Sequence, residues 1–171
     1  YQMHGSVGSS CAVADVRADS ATLWSATQSA YPTRDTTAAL LGLQPDRVRV
    51  IYLDGSGSYG PNGEDDAVAE AALLSKATGR PVRVQWSREE EHGLDPKGPA
   101  QLLELRAAVD GDGQIAAWET QAWLPLATAN LPNIPLLSLD AAGIPQTPGR
   151  STGLIYQNVD PPYTMPNLSA V

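Results

Sequence analysis

A glycine-rich loop after a β-branched apolar run is the stretch of this sequence with the clearest potential for chemistry. Residues 48–53 read VRVIYL, and Gly55, Gly57 and Gly60 follow with the spacing GxGxxG, ahead of a segment that opens on three acids. Small residues between a strand and a helix let backbone N–H groups approach an anionic ligand closely. The stretch therefore predicts a loop that binds a phosphate, a pyrophosphate or a similar anion.

The same spacing satisfies the dinucleotide fingerprint, so an NAD(P)-binding domain is one candidate function. Two features oppose it. Residues 61–63, Pro-Asn-Gly, push the helix start past the third glycine, and a hairpin, a helix and a strand precede a motif that normally opens its domain. A second alternative is a structural module that dimerises through a sheet edge and a proline-rich tail.

Patterns of apolar residues predict the elements that must position the loop. Alternating or continuous apolar runs indicate strands, whereas small and apolar residues bounded by proline and glycine indicate helices. The predicted order is strand 11–17, strand 21–26, helix 32–42 with Pro32 as its first residue, strand 47–53, helix 64–78 and strand 81–86. A stripe of Ala67, Ala71 and Leu74 should pack the second helix on the sheet.

The elements define an α+β fold: a two-layer mixed β-sheet with helices on one face and a β-β-α-β-α-β core. Strands over residues 100–110 and 114–124 flank an Asp-Gly turn and extend this core by a β-hairpin. We predict one domain over residues 1–124. Residues 125–171 hold eight of the fourteen prolines and are predicted to be an extension, in which residues 168–171 begin a strand.

The composition excludes several classes of function. With a net charge of -8, no basic face can neutralise a nucleic-acid backbone. A transmembrane helix is excluded because the chain has no run of about eighteen apolar residues. Cys11 is the single cysteine, which excludes an internal disulfide and a cysteine-ligated iron–sulfur cluster within this chain. The segment 87–92, SREEEH, is predicted to be a solvated acidic turn rather than a metal or base site.

Five longer stretches occur in an order that is known from one protein family. They are YQMHGSVGSSCAVADV, TLWSATQSAYPTRDTTAALLGLQPDRVRVIY, GSGSYGPNGEDDAVAEAALLSKATGRPVRVQWSREEE, LDPKGPAQLLELRAAVDGDGQIAAW and DPPYTMPN. Together they resemble the molybdopterin-binding large subunit of the xanthine dehydrogenase/aldehyde oxidase family, in its isoquinoline oxidoreductase and nicotinate dehydrogenase branch. The fold expected from this resemblance is the family's molybdenum cofactor-binding domain, and the chain is expected to be a fragment of such a subunit.

The resemblance also implies cofactor-binding residues. Residues 56–61 stand where the family has a GGGFGG-type loop, which passes beside the molybdenum and the pterin. One glutamine near the N-terminus matches the family glutamine that hydrogen-bonds the apical oxygen of molybdenum. The implied cofactor-binding residues are Gln2, Gly57, Ser58, Tyr59 and Gly60. Thr27 and Gln28, which match the family's STQ-like step, are further candidates for the pocket lining. Glu64 is assigned to the helix N-terminus, where an acid complements the dipole.

The activity implied by the resemblance is that of a molybdenum hydroxylase, which oxidises an aldehyde or an N-heterocycle with oxygen derived from water. The general-base glutamate is expected beyond Val171, so no catalytic or metal-ligating residue is assigned here. The expected cofactor is molybdopterin with molybdenum, in the cytosine dinucleotide form. The expected partners are an iron–sulfur small subunit, the C-terminal part of the same subunit and a small-molecule substrate. The location is periplasmic or cytoplasmic, and the resemblance favours the periplasm.

Residues 1–171 by themselves are expected to hold neither cofactor nor activity, because the base and most cofactor contacts are implied to lie beyond Val171. The purified chain should be colourless and should contain no molybdenum by elemental analysis. Stoichiometric molybdenum in that sample would contradict this prediction.

Overall fold

The computed structural model of the protein describes residues 5–57, 59, 66–94, 101–123, 143, 145, 159 and 161–171. The described residues fall into two units, which are treated separately below. The first contains the described chain up to Leu94, and the second contains the strands that follow residue 101. The proposed division at residue 124 stays a prediction, since most of 125–171 lies outside the described residues.

The first unit is built on a four-stranded sheet in the order β3-β2-β1-β4. The strands are β1 (Cys11–Val16), β2 (Ala21–Ser25), β3 (Val48–Tyr52) and β4 (Val82–Gln85). β1 is antiparallel to both β2 and β4, whereas β2 and β3 are parallel. The ends of β2, β3 and β4 and the start of β1 therefore meet at one edge of the sheet.

Three helices accompany this sheet. Helix α1 (Ala30–Leu41) and a 3₁₀ turn (Pro45–Arg47) form the crossover that a parallel β2–β3 pair requires. Helix α2 (Asp66–Thr78) connects β3 to β4, and helix α3 (Arg88–Leu94) follows β4. α1 packs on β3, α2 packs on β1 and β4, and the two helices contact each other. The predicted β-β-α-β-α-β order is confirmed.

The core lies between the sheet and α2, where both surfaces carry small side chains. Alternate residues of β1 and β2 are buried, as a half-covered sheet requires. Ala67 and Ala71 of α2 are buried against them as predicted, but Leu74 is 49% exposed. The predicted stripe was wrong at this position, because the buried face of α2 continues through Ser75 instead.

Helix α1 begins two residues earlier than the sequence suggested. Thr33 N donates to Ser29 O at 2.9 Å, so the first helical hydrogen bond already spans Pro32. Proline is still tolerated there, since the first residues of a helix have no intrahelical partner for their N–H groups. The helix ends as predicted at Gly42, whose φ of 71° is in the left-handed region.

The second unit is a three-stranded sheet in the order β5-β6-β7, formed by Leu102–Val109, Ile115–Trp123 and Leu168–Ala170. The predicted hairpin turn is present: Asp110 Oδ1 accepts from Asp112 N at 3.0 Å and from Gln114 N at 2.9 Å. β7 adds in parallel to β6, which confirms the strand predicted at the end of the sequence.

The hairpin thus belongs to a sheet of its own with β7 and does not continue the first sheet. Alternating residues predict that strands form, but they do not identify the partner of each edge. The predicted α+β class, with mixed sheets and few helices, is confirmed. Within the described residues, no helix has the length and apolar character needed to cross a membrane.

The packing of α2 on the sheet can be tested at the hydroxyl of Ser75. It accepts from Val16 N at 2.9 Å and donates to Arg80 O at 2.7 Å, and the residue is fully buried. Ser75→Ala leaves both backbone groups without this partner, so we expect it to lower the free energy of unfolding by about 2 kcal/mol. Thr78→Ala is the matched control: it removes an exposed hydroxyl from the same helix and should change stability by less than about 0.5 kcal/mol. Urea titration of both variants measures the difference, and equal midpoints would contradict it.

Candidate functional site

A cavity of about 270 Å³ lies at the sheet edge where the carboxyl ends of β2 and β3 meet the start of β1. Ligands of open sheets with parallel strands typically bind outside those carboxyl ends. The walls are formed by residues 8–13, 24–26, 53–57 and 66–68, together with Arg83 and Trp86. The predicted glycine loop therefore lies in the wall of a cavity, next to the first turn of α2.

Two glycines of this wall stand where a side chain does not fit. A Cβ on Gly55 would lie 2.5 Å from the Cβ of Ala26, and a Cβ on Gly8 would lie 2.4 Å from the Oγ of Ser56. Gly8 N also donates to Ser56 Oγ at 2.8 Å. The chain before β1 and the loop after β3 are thus in direct backbone-to-side-chain contact at the cavity.

The predicted cofactor-binding residues are only partly within the described chain. Gly57 lines the cavity with a φ of 103°, in a region that suits glycine. Tyr59 also has a positive φ of 57°, and its side chain is 61% exposed. The other three predicted residues, Gln2, Ser58 and Gly60, lie outside the described residues, as does Glu64.

Thr27 has a different environment from the one predicted for a pocket-lining residue. It is buried, and its Oγ1 accepts from Ser29 N at 2.9 Å and lies 3.1 Å from Thr33 Oγ1. These contacts place it at the start of α1, where it organises the first turn. Its neighbours Ser25 and Ala26 take part in the cavity wall instead.

The sequence prediction missed Arg88 and Glu91. The segment 87–92 was predicted to be a solvated acidic turn, and this is wrong for Glu91, which is fully buried. Glu91 Oε1 accepts from Ser10 N at 2.9 Å and from Ser10 Oγ at 3.1 Å, while its other oxygen pairs with Arg88. The prediction holds for Glu89 and Glu90, which are exposed.

The capping box formed by Ser87 and Glu90 was the sequence signal that could have revealed helix α3 and the face that carries Glu91. Ser87 N donates to Glu90 Oε2 at 2.7 Å, and Glu90 N donates back to Ser87 Oγ at 3.1 Å. The Ser87 N–H bond lowers the pKa of Glu90, so this cap stabilises α3 above the ordinary carboxyl pKa and is lost as the pH falls through the lowered value. The capping box fixes the start of α3. Arg88 and Glu91 are then three residues apart in a helix and lie on the same face.

The cavity is lined by the backbone of the glycine loop, by small side chains, by Arg83 and by the acids Asp54 and Asp66. Backbone that approaches a ligand closely at glycine positions is the feature of this wall that suits part of an anionic cofactor. No cluster of three or more His, Cys, Asp or Glu side chains able to hold a metal ion occurs among the described residues. A volume of about 270 Å³ is at the lower end of ligand sites, so the cavity fits a portion of a large cofactor rather than all of it.

Comparison with known families identifies the class of this domain. A family model described as a molybdopterin cofactor-binding domain matches residues 1–131. The chain therefore belongs to the molybdopterin cofactor-binding domain family. The close approaches at Gly8 and Gly55 fit that cofactor, because a Cβ at Gly55 would lie too close to Ala26 and the wall therefore presents backbone there.

Individual relatives are subunits of a dehydrogenase and of an oxidoreductase. The chain is 45% identical over 125 residues to a nicotinate dehydrogenase chain of Pseudomonas putida, covering 73% of this chain and 10% of that protein. It is 33% identical over 90 residues to an isoquinoline 1-oxidoreductase chain of Brevundimonas diminuta, covering 53% and 12%. The chain thus spans only about a tenth of the length of these relatives, each of which is one subunit of its enzyme.

Comparison with solved structures agrees with the comparison of sequences. Quinoline 2-oxidoreductase from Pseudomonas putida 86 superposes with a TM-score of 0.55 at 28% identity, covering 68% of this chain and 15% of that one. Aldehyde oxidoreductase from Desulfovibrio gigas shares the fold, with a TM-score of 0.57 at 21% identity over 69% of this chain and 13% of that one. The resemblance stated from the sequence is confirmed, and the family match favours molybdopterin over the NAD(P) alternative.

Gly55 offers a test of the cavity wall. Gly55→Ala places a methyl group 2.5 Å from the Cβ of Ala26, so the loop must move away from β2. We expect a loss of about 1–3 kcal/mol in the free energy of unfolding. Gly93→Ala is the control, because its Cβ meets open space within a helix and should stabilise slightly. Thermal unfolding compares the two, and an unchanged melting temperature for Gly55→Ala would contradict the close contact.

Proposed function

We propose that this chain forms one wall of the molybdopterin site of a molybdenum-dependent hydroxylase, which oxidises an aldehyde or an N-heterocycle with oxygen derived from water. The observation that carries the proposal is the glycine-lined cavity at the carboxyl ends of β2 and β3, within the residues that the family model matches. The names of the relatives, nicotinate dehydrogenase and isoquinoline 1-oxidoreductase, support an N-heterocyclic substrate.

The chain's own contribution is to hold and orient the cofactor. Gly8, Gly55 and Gly57 bring backbone close to the cavity, and the hydrogen bond between Gly8 N and Ser56 Oγ keeps two wall segments together. Backbone N–H groups of such a glycine loop favour a ligand that carries negative charge, whereas Asp66 in the first turn of α2 adds a carboxylate to the same wall. When bound, the cofactor supplies a molybdenum centre that accepts electrons from the substrate.

Trp86, directly after β4, is one of the residues that line the cavity. It is buried, and its Nε1 donates to Glu70 Oε2 of α2 at 2.8 Å, which fixes the orientation of the indole ring. A ring held in this way gives the cavity a fixed apolar portion of its wall.

The finer features of the function are proposals of the same kind. We propose the cytosine dinucleotide form of molybdopterin, an iron–sulfur small subunit as electron-accepting partner and a C-terminal portion that supplies the general-base glutamate. The nicotinate dehydrogenase and isoquinoline 1-oxidoreductase relatives are each named as one of several subunits, which supports assembly with other chains. A periplasmic location is proposed from the family resemblance.

Purification of the full-length protein from a host that makes molybdenum cofactor tests the function. We expect molybdenum close to stoichiometry by elemental analysis and release of cytidine monophosphate after acid hydrolysis. Molybdenum without a nucleotide would contradict the dinucleotide form and leave the coarser function intact. A preparation without molybdenum and pterin would overturn the proposed function.

Ser56→Ala tests the part played by the glycine loop. The change removes the acceptor of Gly8 N and loosens the contact between two wall segments. One hydrogen bond contributes about 1 kcal/mol, so we expect retention of molybdenum during dialysis to weaken by up to about fivefold. Ser20→Ala is the matched control, since Ser20 lies in the turn at the opposite end of β1 and β2. Equal retention in the two variants would argue against a role of this loop.

A further inference from the structure

We propose that Arg88 and Glu91 of α3 are positioning residues, which fix the chain before β1 in the place where it forms a wall of the cofactor cavity. The inference rests on the proposed function, because it concerns the same cavity. It assigns a purpose to an ion pair that lies outside the cavity and contacts its wall from there: Gly8, Ser9 and Ser10 line the cavity, whereas Arg88 and the buried Glu91 do not.

The segment from Gly5 to Ser10 has no regular secondary structure, so its backbone polar groups need partners from elsewhere. The chain around the end of β4 supplies several of them. Trp86 N donates to Ser10 O at 3.0 Å, and the hydroxyl of Ser9 donates to Trp86 O. The segment is therefore attached to the stretch of chain that leads into α3.

Arg88 holds the first half of the segment. One nitrogen of its guanidinium donates to Ser6 O and also contacts Val7 O at 3.3 Å, while the other nitrogen pairs with Glu91. A guanidinium is suited to this task because its planar fork donates in several fixed directions at once. The compact ammonium group of a lysine cannot reproduce this set of contacts.

Glu91 holds the second half. Its carboxylate is fully buried, and one oxygen accepts from both the N–H and the hydroxyl of Ser10. A buried carboxylate is tolerated only when it is paired and hydrogen-bonded, so Ser10 and Arg88 must stay close to it. This requirement makes the position of Ser10 specific, since a displaced Ser10 would leave a buried charge without its hydrogen bonds.

The segment from Gly5 to Ser10 also contacts the glycine loop of the cavity wall. Gly8 N donates to Ser56 Oγ at 2.8 Å, so the segment bridges α3 and the glycine loop. If the α3 contacts loosen, Gly8, Ser9 and Ser10 are free to move within the wall. A wall that moves holds a ligand less well, because ordering it then costs entropy on binding.

The test uses Glu91→Gln and Arg88→Lys in the full-length protein, with Glu89→Gln as the matched control. Glutamine keeps the shape of Glu91, but its NH2 group must face another donor, either the guanidinium of Arg88 or Ser10 N. Glu89 is exposed on the same helix, and Glu89→Gln removes the same charge. One readout is amide hydrogen exchange in the cofactor-free protein, for peptides that span residues 5–12 and α2. The second is retention of molybdenum during dialysis of the loaded protein.

We expect Glu91→Gln and Arg88→Lys to raise exchange in residues 5–12 at least tenfold, to leave α2 unchanged, and to weaken molybdenum retention, while Glu89→Gln behaves as wild type. Unchanged exchange in residues 5–12 would overturn the proposal. Faster exchange with wild-type retention would overturn it too, and would leave the proposed function standing. If Glu91→Gln does not fold, Arg88→Lys decides alone. Wild-type protein without molybdenum would instead refute the function proposed above.

Discussion

The parallel pairing of β2 and β3 is the constraint on which the rest of the first unit depends. Parallel strands need a crossover, and α1 with the 3₁₀ turn provides it on the side of the sheet where α2 also packs. Their carboxyl ends then share one edge with the start of β1. The cavity lies at this edge, where the chain segments before β1, after β2 and after β3 form its walls.

Close approach of backbone decides the shape of that cavity. Gly55 against Ala26 and Gly8 against Ser56 leave no space for side chains at the points of contact. Glycine is destabilising in most elements because it increases the entropy of the unfolded chain. Here it permits a wall that presents backbone to a ligand, and this is the property that an anionic cofactor needs.

The segment before β1, which forms part of the cavity wall, is held in place by charged side chains that lie outside the cavity. Glu91 and Arg88 lie on a short helix outside the cavity, yet their hydrogen bonds reach Ser6 and Ser10. The carboxylate of Glu91 is fully buried while the side chain of Arg88 is 39% exposed, so desolvation of the carboxylate offsets much of their attraction. Arrangements that leave the buried carboxylate without its partners are strongly disfavoured. The pair therefore contributes more to the position of the segment than to the stability of the fold.

Local patterns in the sequence were sufficient for the elements and for the family. Alternation, glycine stops and helix dipole acids predicted the strands, α2 and the hairpin turn at Asp110 within a few residues, because each depends on neighbours in the chain. The loop around Gly57 was recognised for the same reason. The tertiary structure alone decided the pairing of the hairpin with β7, the buried face of α2 and the burial of Glu91. Each of these depends on contacts between residues far apart in sequence, and a pattern of neighbouring residues contains no information on which distant surface will cover it.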